Sequence, residues 1–204
     1  MNLDIWLTFV VLELFLCLTP GPAVLFVTAT TAARGLRGGW IATAGILASN
    51  LMYFVISGTG VVAVLLASPT LFNVLRWAGS AYLLLLGATM ALSAATNTHP
   101  ETAEAPVTGD ISILHGFMIQ TLNPKAIAFF AALLPQFVVP SAPILPQMTI
   151  LTVTSVVVEA GVMALYIWLT LRFGRQAGER GKLWFKRIGG GFLILAAARL
   201  VITG

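Results

Sequence analysis

Six stretches of mostly apolar residues follow one another along the chain, at 5–31, 39–67, 71–93, 113–134, 145–171 and 185–202. Each approaches or exceeds the roughly 20 residues that a helix needs to cross a bilayer. The joints between them are short or polar. Residues 32–38 hold Arg34 and Arg37, and the turn at Ser68, Pro69 and Thr70 is uncharged. Residues 94–112 are acidic and rich in Pro and Ala, a composition that favours a flexible linker. Residues 135–144 carry Pro135, Pro140 and Pro143 without charge, and residues 172–187 carry six basic side chains. The pattern predicts an all-α membrane protein of six transmembrane helices. It divides into a first three-helix unit at 1–93, a cytoplasmic linker at 94–112 and a second three-helix unit at 113–204.

Composition supports lipid as the solvent. Hydrophobic residues make up 58% of the chain and charged residues 9%, against about 25% charged in a typical soluble domain. The net charge of +4 does not point to nucleic acid, because eight of the eleven basic residues sit in the first and fifth joints. Lys and Arg collect on the cytoplasmic side of membrane proteins. The odd-numbered joints are therefore expected in the cytoplasm and both termini outside it. The first apolar run follows Asp4 with no Lys or Arg before it, so it is expected to be a retained span rather than a secretory leader. The lone Cys17 forms no disulfide within the chain. His99 and His115 lack ligand partners at metal spacing, so no metal and no cofactor are expected.

Two halves of three spans enter the membrane with opposite orientation, the inverted-repeat plan of many secondary transporters. The phrase RWAGSAYLLLLGA at 76–88 lines up with RIGGGFLILAAAR at 187–199. Spans one and four each carry a proline break, Thr19-Pro20-Gly21-Pro22 and Asn123-Pro124-Lys125. A similar offset brings Asn50 of span two to Glu159 of span five.

The breaks carry the candidate chemistry. Proline removes a backbone donor and frees a carbonyl one turn earlier, and Gly21 permits close approach. In hydrocarbon such groups are tolerated only against protein or a wet cavity. A packing kink is the plain alternative. Lys125 lies near the middle of its span, where an ammonium costs several kcal/mol, of order 3, unless paired or hydrated. Two roles are open to it, binding a carboxylate or pairing with an internal glutamate. Glu13 and Glu159 are the candidates for that pairing, for binding an ammonium or for carrying a proton. Asn50 is a candidate substrate ligand. Ser49, Gln120 and Gln136 read as inter-helix hydrogen-bonding residues. Tyr53 and Tyr82 read as interfacial or packing residues, and Arg76 and Arg199 as snorkelling residues near span ends. The glycines at 189–191 permit close helix contact, within the chain or in a homo-oligomer.

No Walker loop, dinucleotide fingerprint or HExxH is present. Nor is a catalytic dyad evident, so no enzymatic activity is expected. Export of a metal ion or organic acid, an intramembrane enzyme and a structural subunit are the competing readings; few His, Cys or clustered carboxylates speak for metals.

At these residues the chain resembles the lysine exporter and homoserine/threonine exporter (LysE/RhtB) superfamily. The phrases that carry the resemblance are LTPGPAVLFV at 18–27, GILASNLMY at 45–53, GSAYLLLLG at 79–87 and GFMIQTLNPKAIAFFAALLPQF at 116–137. The resemblance implies efflux of amino acids from the bacterial cytoplasm, coupled to protons, through the inner membrane. Its paired Pro-bearing motifs carry over to Pro20, Gly21, Pro22, Asn123, Pro124 and Lys125; from the residues themselves, Thr19 of the first break and Asn50 are further candidate substrate ligands. The chain departs from the pattern at Ala23, where many members carry Asp or Asn, and at Ala48, where Gly is common.

Overall fold

The computed structural model describes residues 2–67, 70, 74 and 113–173. The third and sixth spans, the linker at 94–112, Tyr82, Arg76, Arg199, His99 and the glycines at 189–191 lie outside the described residues, as do the boundaries between the expected units. The described residues are helical and contain no strand. Helix α1 covers Leu3–Leu18 and opens on Asn2, whose side chain accepts from the Asp4 N–H. Helix α2 covers Pro22–Ala67, α3 Ile113–Thr121, and α4 Pro124–Ala128. A π-helical turn at Phe129–Leu133 and a 3-10 turn at Leu134–Phe137 continue α4. Helix α5 covers Ile144–Phe173. Residues 135–137, expected in a loop, are instead a buried turn that closes the fourth apolar run.

By length and composition, Pro22–Gly60 and Ile144–Phe173 can cross a membrane, and Ile113–Thr121 with Pro124–Phe137, bent by 57°, forms a third candidate. The chain folds back within α2. Gly35 has φ 66° and ψ −161°, a left-handed conformation that glycine adopts without a Cβ clash. A Cβ on Gly39 would meet Thr31 Oγ1 at 2.4 Å, although eight residues of straight helix would separate them by about 12 Å. Residues 22–34 and 36–67 are therefore antiparallel arms. The first continues α1 beyond its break, and Arg34 and Arg37 lie at the bend.

The contacts fix each direction. The second arm of α2 meets α5 at Gly58 with Met148 and at Gly39 with Ile167, so the two are antiparallel. Trp6 Nε1 donates to Thr154 Oγ1, and Tyr166 Oη donates to the Leu18 carbonyl, so α1 and α5 are parallel. Ile113 and Gly116 approach Gly45, Ser49 meets Thr121, and Ser57 donates to the Phe130 carbonyl. Hence α3, α4 and the turns after them run parallel to the second arm. Arg34, Arg37 and Arg172 share one end of the bundle.

The register also fixes depth. Nineteen residues separate Gly39 from Gly58, and Met148 from Ile167. At 1.5 Å per residue that is about 28 Å, close to the hydrocarbon thickness of a bilayer. Asn50 and Glu159 each lie eight residues from one end of this register and eleven from the other, near its middle.

Apolar layers lie above and below that level. On the side away from the arginines, Phe9, Phe54, Phe129, Phe130 and Phe137 pack edge to face or tilted, and Tyr53 stacks on Phe130. On the arginine side, Val27, Ala42, Ile46, Met163 and Ile167 form a second layer. Between them the buried residues are polar, whereas Leu51, Val55, Val153, Val157 and Trp168 are exposed. This inside-out distribution suits lipid and not water.

Gln147 secures the joint before α5. Its side chain accepts from the Val139 N–H and donates to the carbonyls of Val139, Ala142 and Pro143. Nothing in the sequence singled it out, because its partners are backbone groups.

The tightest crossing is between Gly45 and Gly116. A Cβ on Gly45 would lie 2.1 Å from the Ile113 carbonyl oxygen, and one on Gly116 2.3 Å from that of Ala42. Backbone cannot yield there as a side chain would, so Gly45→Val is expected to cost about 1–3 kcal/mol or more. Thermal unfolding in detergent checks this: Gly45→Val lowers the midpoint, whereas Gly161→Ala, which meets nothing within 4 Å, does not.

Candidate functional site

The first break follows from its two prolines. Pro20 has no N–H to give to the Leu16 carbonyl, and Pro22 has none for Leu18. Thr19 turns to an extended conformation, with φ −76° and ψ 118°, and its hydroxyl returns to the Phe15 carbonyl at 2.8 Å. The freed carbonyls find partners from other spans. Lys125 Nζ donates to the Leu16 carbonyl at 2.7 Å and to that of Thr19 at 3.1 Å. Tyr166 Oη donates to the Leu18 carbonyl at 2.7 Å.

On the other side of the break, the first inter-turn bond of α2 runs from the Leu25 N–H to the Gly21 carbonyl at 2.9 Å. The N–H groups of Ala23 and Val24 precede that ladder and have no partner within the helix. Both residues are buried and line the central cavity. Gly21 lies under the Lys125 ammonium, with its absent Cβ 3.7 Å from Nζ. Lys125 thus adjoins the carbonyl end of α1 and the amide end of α2 together.

The second break obeys the same arithmetic. Pro124 cannot serve the Gln120 carbonyl, which takes the Asn123 N–H at 3.1 Å instead. Asn123 caps α4 by accepting the Lys125 N–H at 3.0 Å. The Thr121 carbonyl loses that donor and takes Tyr53 Oη at 2.6 Å. Each break therefore has a carbonyl satisfied by a tyrosine, Tyr166 from α5 for the first and Tyr53 from α2 for the second. The π-helical turn at Phe129–Leu133 widens the backbone just beyond. Such turns are frequent at functional sites.

The carboxylates are divided between partners. Glu13 accepts from the Ser155 hydroxyl, and Cys17 Sγ lies 3.9 Å from its Oε1. Glu159 accepts from Asn50 Nδ2. Gln120 Nε2 donates to Asn50 Oδ1 at 2.7 Å, and Asn123 Nδ2 donates to Gln120 Oε1 at 3.0 Å. A file of three side-chain amides thus joins the cap of α4 to Glu159. The hydrogen bonds of Lys125 go to carbonyls, while those of the two glutamates come from hydroxyl, thiol and amide donors, so Lys125 and the glutamates share one cavity without a direct hydrogen bond between them.

Glu13, Lys125, Glu159, Asn50, Gln120 and Asn123 all line one cavity. About 40 Å3 of it is open to the centres of water molecules, room for about three. Phe129, Phe130 and Met163 supply apolar wall. Of the residues singled out in the sequence, Thr19, Pro20, Gly21 and Pro22 form the first break beside this cavity, and Asn123, Pro124 and Lys125 the second. Ser49 instead pairs with Thr121, 2.9 Å away. Gln136 is buried in the 3-10 turn. Ser155 and Tyr166 were not foreseen: a serine and a tyrosine in an apolar span carry no signal until their partners are known. No group of His, Cys, Asp and Glu among the described residues is arranged to hold a metal.

The LysE type translocator family model matches residues 14–204. The chain is 30% identical over 199 residues to the homoserine/homoserine lactone efflux protein of Salmonella typhimurium, covering 97% of this chain and 96% of that protein. It is 32% identical over 141 residues to the leucine efflux protein of Salmonella choleraesuis, covering 69% and 66%. It is 36% identical over 188 residues to an uncharacterized membrane protein of Pseudomonas aeruginosa, covering 90% and 83%. No solved structure matches the chain.

Removing the hydroxyl that serves the first break isolates its contribution. Tyr166→Phe leaves the Leu18 carbonyl unpaired and is expected to cost about 1–3 kcal/mol. Equilibrium unfolding in mixed micelles, read by loss of helical circular dichroism, measures the difference.

Proposed function

Because the chain belongs to the LysE-type translocator family, we propose that it exports amino acids or close derivatives from the cytoplasm by proton antiport. The observation that carries this reading is the pairing of opposite complements in one mid-depth cavity. Lys125 has three ammonium hydrogens and gives two to carbonyls, leaving one for a ligand. That hydrogen and the free N–H groups of Ala23 and Val24 form the complement of a carboxylate. Glu13 and Glu159 form the complement of an ammonium. An amino-acid zwitterion presents both groups.

The cavity in this conformation holds less than such a ligand needs, so the cycle includes a more open state. In that cycle a glutamate holds the substrate ammonium on the cytoplasmic side. A proton from the opposite side then neutralises the carboxylate and releases the substrate outward. The apolar layers on either side serve as alternate barriers. The chain acts as a carrier, with no catalytic step and no cofactor.

The full arrangement in this reading is six spans in two inverted halves, lying in the cell inner membrane. The opposed directions of α1 and of α3 with α4, and of the second arm of α2 and α5, support it, as does the exchange of tyrosines between the breaks. In this reading Arg34, Arg37 and Arg172 lie at the cytoplasmic end, as the excess of Lys and Arg on that side favours, and both termini are periplasmic.

Lys125→Ala and Glu159→Gln are expected to abolish export while the protein remains in the membrane. Cells loaded with dipeptides and assayed for amino acids released, against membrane abundance by immunoblot, provide the measurement. Normal export by both variants would end the assignment of this site.

A further inference from the structure

The file of amides has a polarity, and donor–acceptor chemistry says what sets it. Asn123, Gln120, Asn50 and Glu159 are each at most about 5% exposed, so their bonds to one another are shielded from bulk water. A side-chain amide has one end that only accepts and one that only donates. An ionised Glu159 only accepts, so Asn50 must turn its NH2 toward it and its oxygen toward Gln120. Gln120 must then give its NH2 to Asn50 and its oxygen to Asn123. Asn123 must give its NH2 to Gln120, which leaves its oxygen free to cap the Lys125 N–H. The structure has this arrangement throughout.

A protonated Glu159 that donates its hydrogen to Asn50 reverses every link. Asn50 presents its oxygen to Glu159 and its NH2 to Gln120. Gln120 turns in the same sense, and Asn123 must offer its oxygen to Gln120. Its NH2 then faces the Lys125 N–H, donor against donor, and the cap of α4 is lost. Lys125 is the residue whose side chain closes the first break. A proton arriving on α5 is therefore read at both broken helices.

We propose that Gln120 is a positioning residue that transmits the protonation state of Glu159 to the cap of α4, and so couples the proton to the hinge around Lys125. The coupling role rests on the antiport reading above; the relay itself does not. The titratable groups facing Glu159 are Glu13 and Cys17 on α1 and Lys125 on α4. The second arm of α2 faces it with Asn50, and Ser155, one turn away on its own helix, is engaged with Glu13.

Hydrogen–deuterium exchange of the Lys125 amide tests the relay in the full chain in lipid nanodiscs, with no substrate added and rates corrected for intrinsic exchange. Acidification is expected to lower protection about fivefold in the wild type, the equivalent of one helix cap. Gln120→Met keeps the volume but neither donor nor acceptor, and is expected to make protection independent of pH. Asn50→Leu breaks the neighbouring link with the same result. Glu159→Gln, which has no proton to gain or lose at this position, is expected to make protection independent of pH. An unresponsive wild type, or a pH response that persists in Gln120→Met and Asn50→Leu, would overturn the relay.

Its coupling role is read in proteoliposomes with radiolabelled leucine and homoserine as probes. In Gln120→Met, proton-driven transport should fall at least fivefold more than probe exchange, and an equal fall in both contradicts that role. If the wild type moves neither probe, the coupling role falls with the export reading, while the exchange result still decides the relay.

Discussion

One ammonium on two carbonyls of a broken helix organises this protein. Pro20 and Pro22 interrupt a helix where water cannot repair it, and each unpaired polar group there costs several kcal/mol, of order 2–7 on transfer scales. Tyr166 of α5 donates to the carbonyl of Leu18, and Lys125, from another broken helix, donates to those of Leu16 and Thr19. The bond solves two problems together, since a charged ammonium at this depth also needs polar partners. The first break takes the Lys125 bonds from span four, whereas the second is closed by Asn123 and by Tyr53 of α2.

The rest of the bundle is built around that meeting. Gly45 and Gly116 bring α2 and α3 into backbone contact, close enough for Asn50 to reach Gln120 and Tyr53 to reach the Thr121 carbonyl. The same arm of α2 faces α5, which delivers Glu159 and, one turn before it, Ser155 for Glu13. Apolar layers on both sides keep this polar seam out of bulk water. The result is a small polar volume whose charges are not hydrogen-bonded to one another directly. That suits the proposed carrier, whose ligand and proton would both have to leave.

Much of this was legible in the sequence, for definite reasons. Apolar runs of span length follow from the thickness of hydrocarbon, and prolines within them have one local consequence, so the spans and breaks could be placed without tertiary information. The offset relates Asn50 to Glu159 between the two halves, and the structure adds that Asn50 donates to Glu159. What was not legible depends on who faces whom. Lys125 reads as a carboxylate ligand or a partner for a glutamate, because the sequence shows that prolines free carbonyls but not which side chain reaches them. Tyr166, Ser155 and Gln147 act on backbone or on residues more than a hundred positions away or hidden in a joint. Gln120 reads as an ordinary inter-helix amide until its two neighbours in the file are seen.

The central claim is that the polar cavity between the breaks is reached by water and by substrate from one face of the membrane at a time. Cys17 lines that cavity and is the only cysteine in the chain, so the native protein carries its own probe. The direct measurement is the rate at which a small, membrane-impermeant thiol reagent modifies Cys17, applied from each face of oriented vesicles with and without leucine or homoserine. Modification from one face, slowed by an amino acid, is the result predicted. A Cys17 that stays unmodified from both faces under every condition would contradict it.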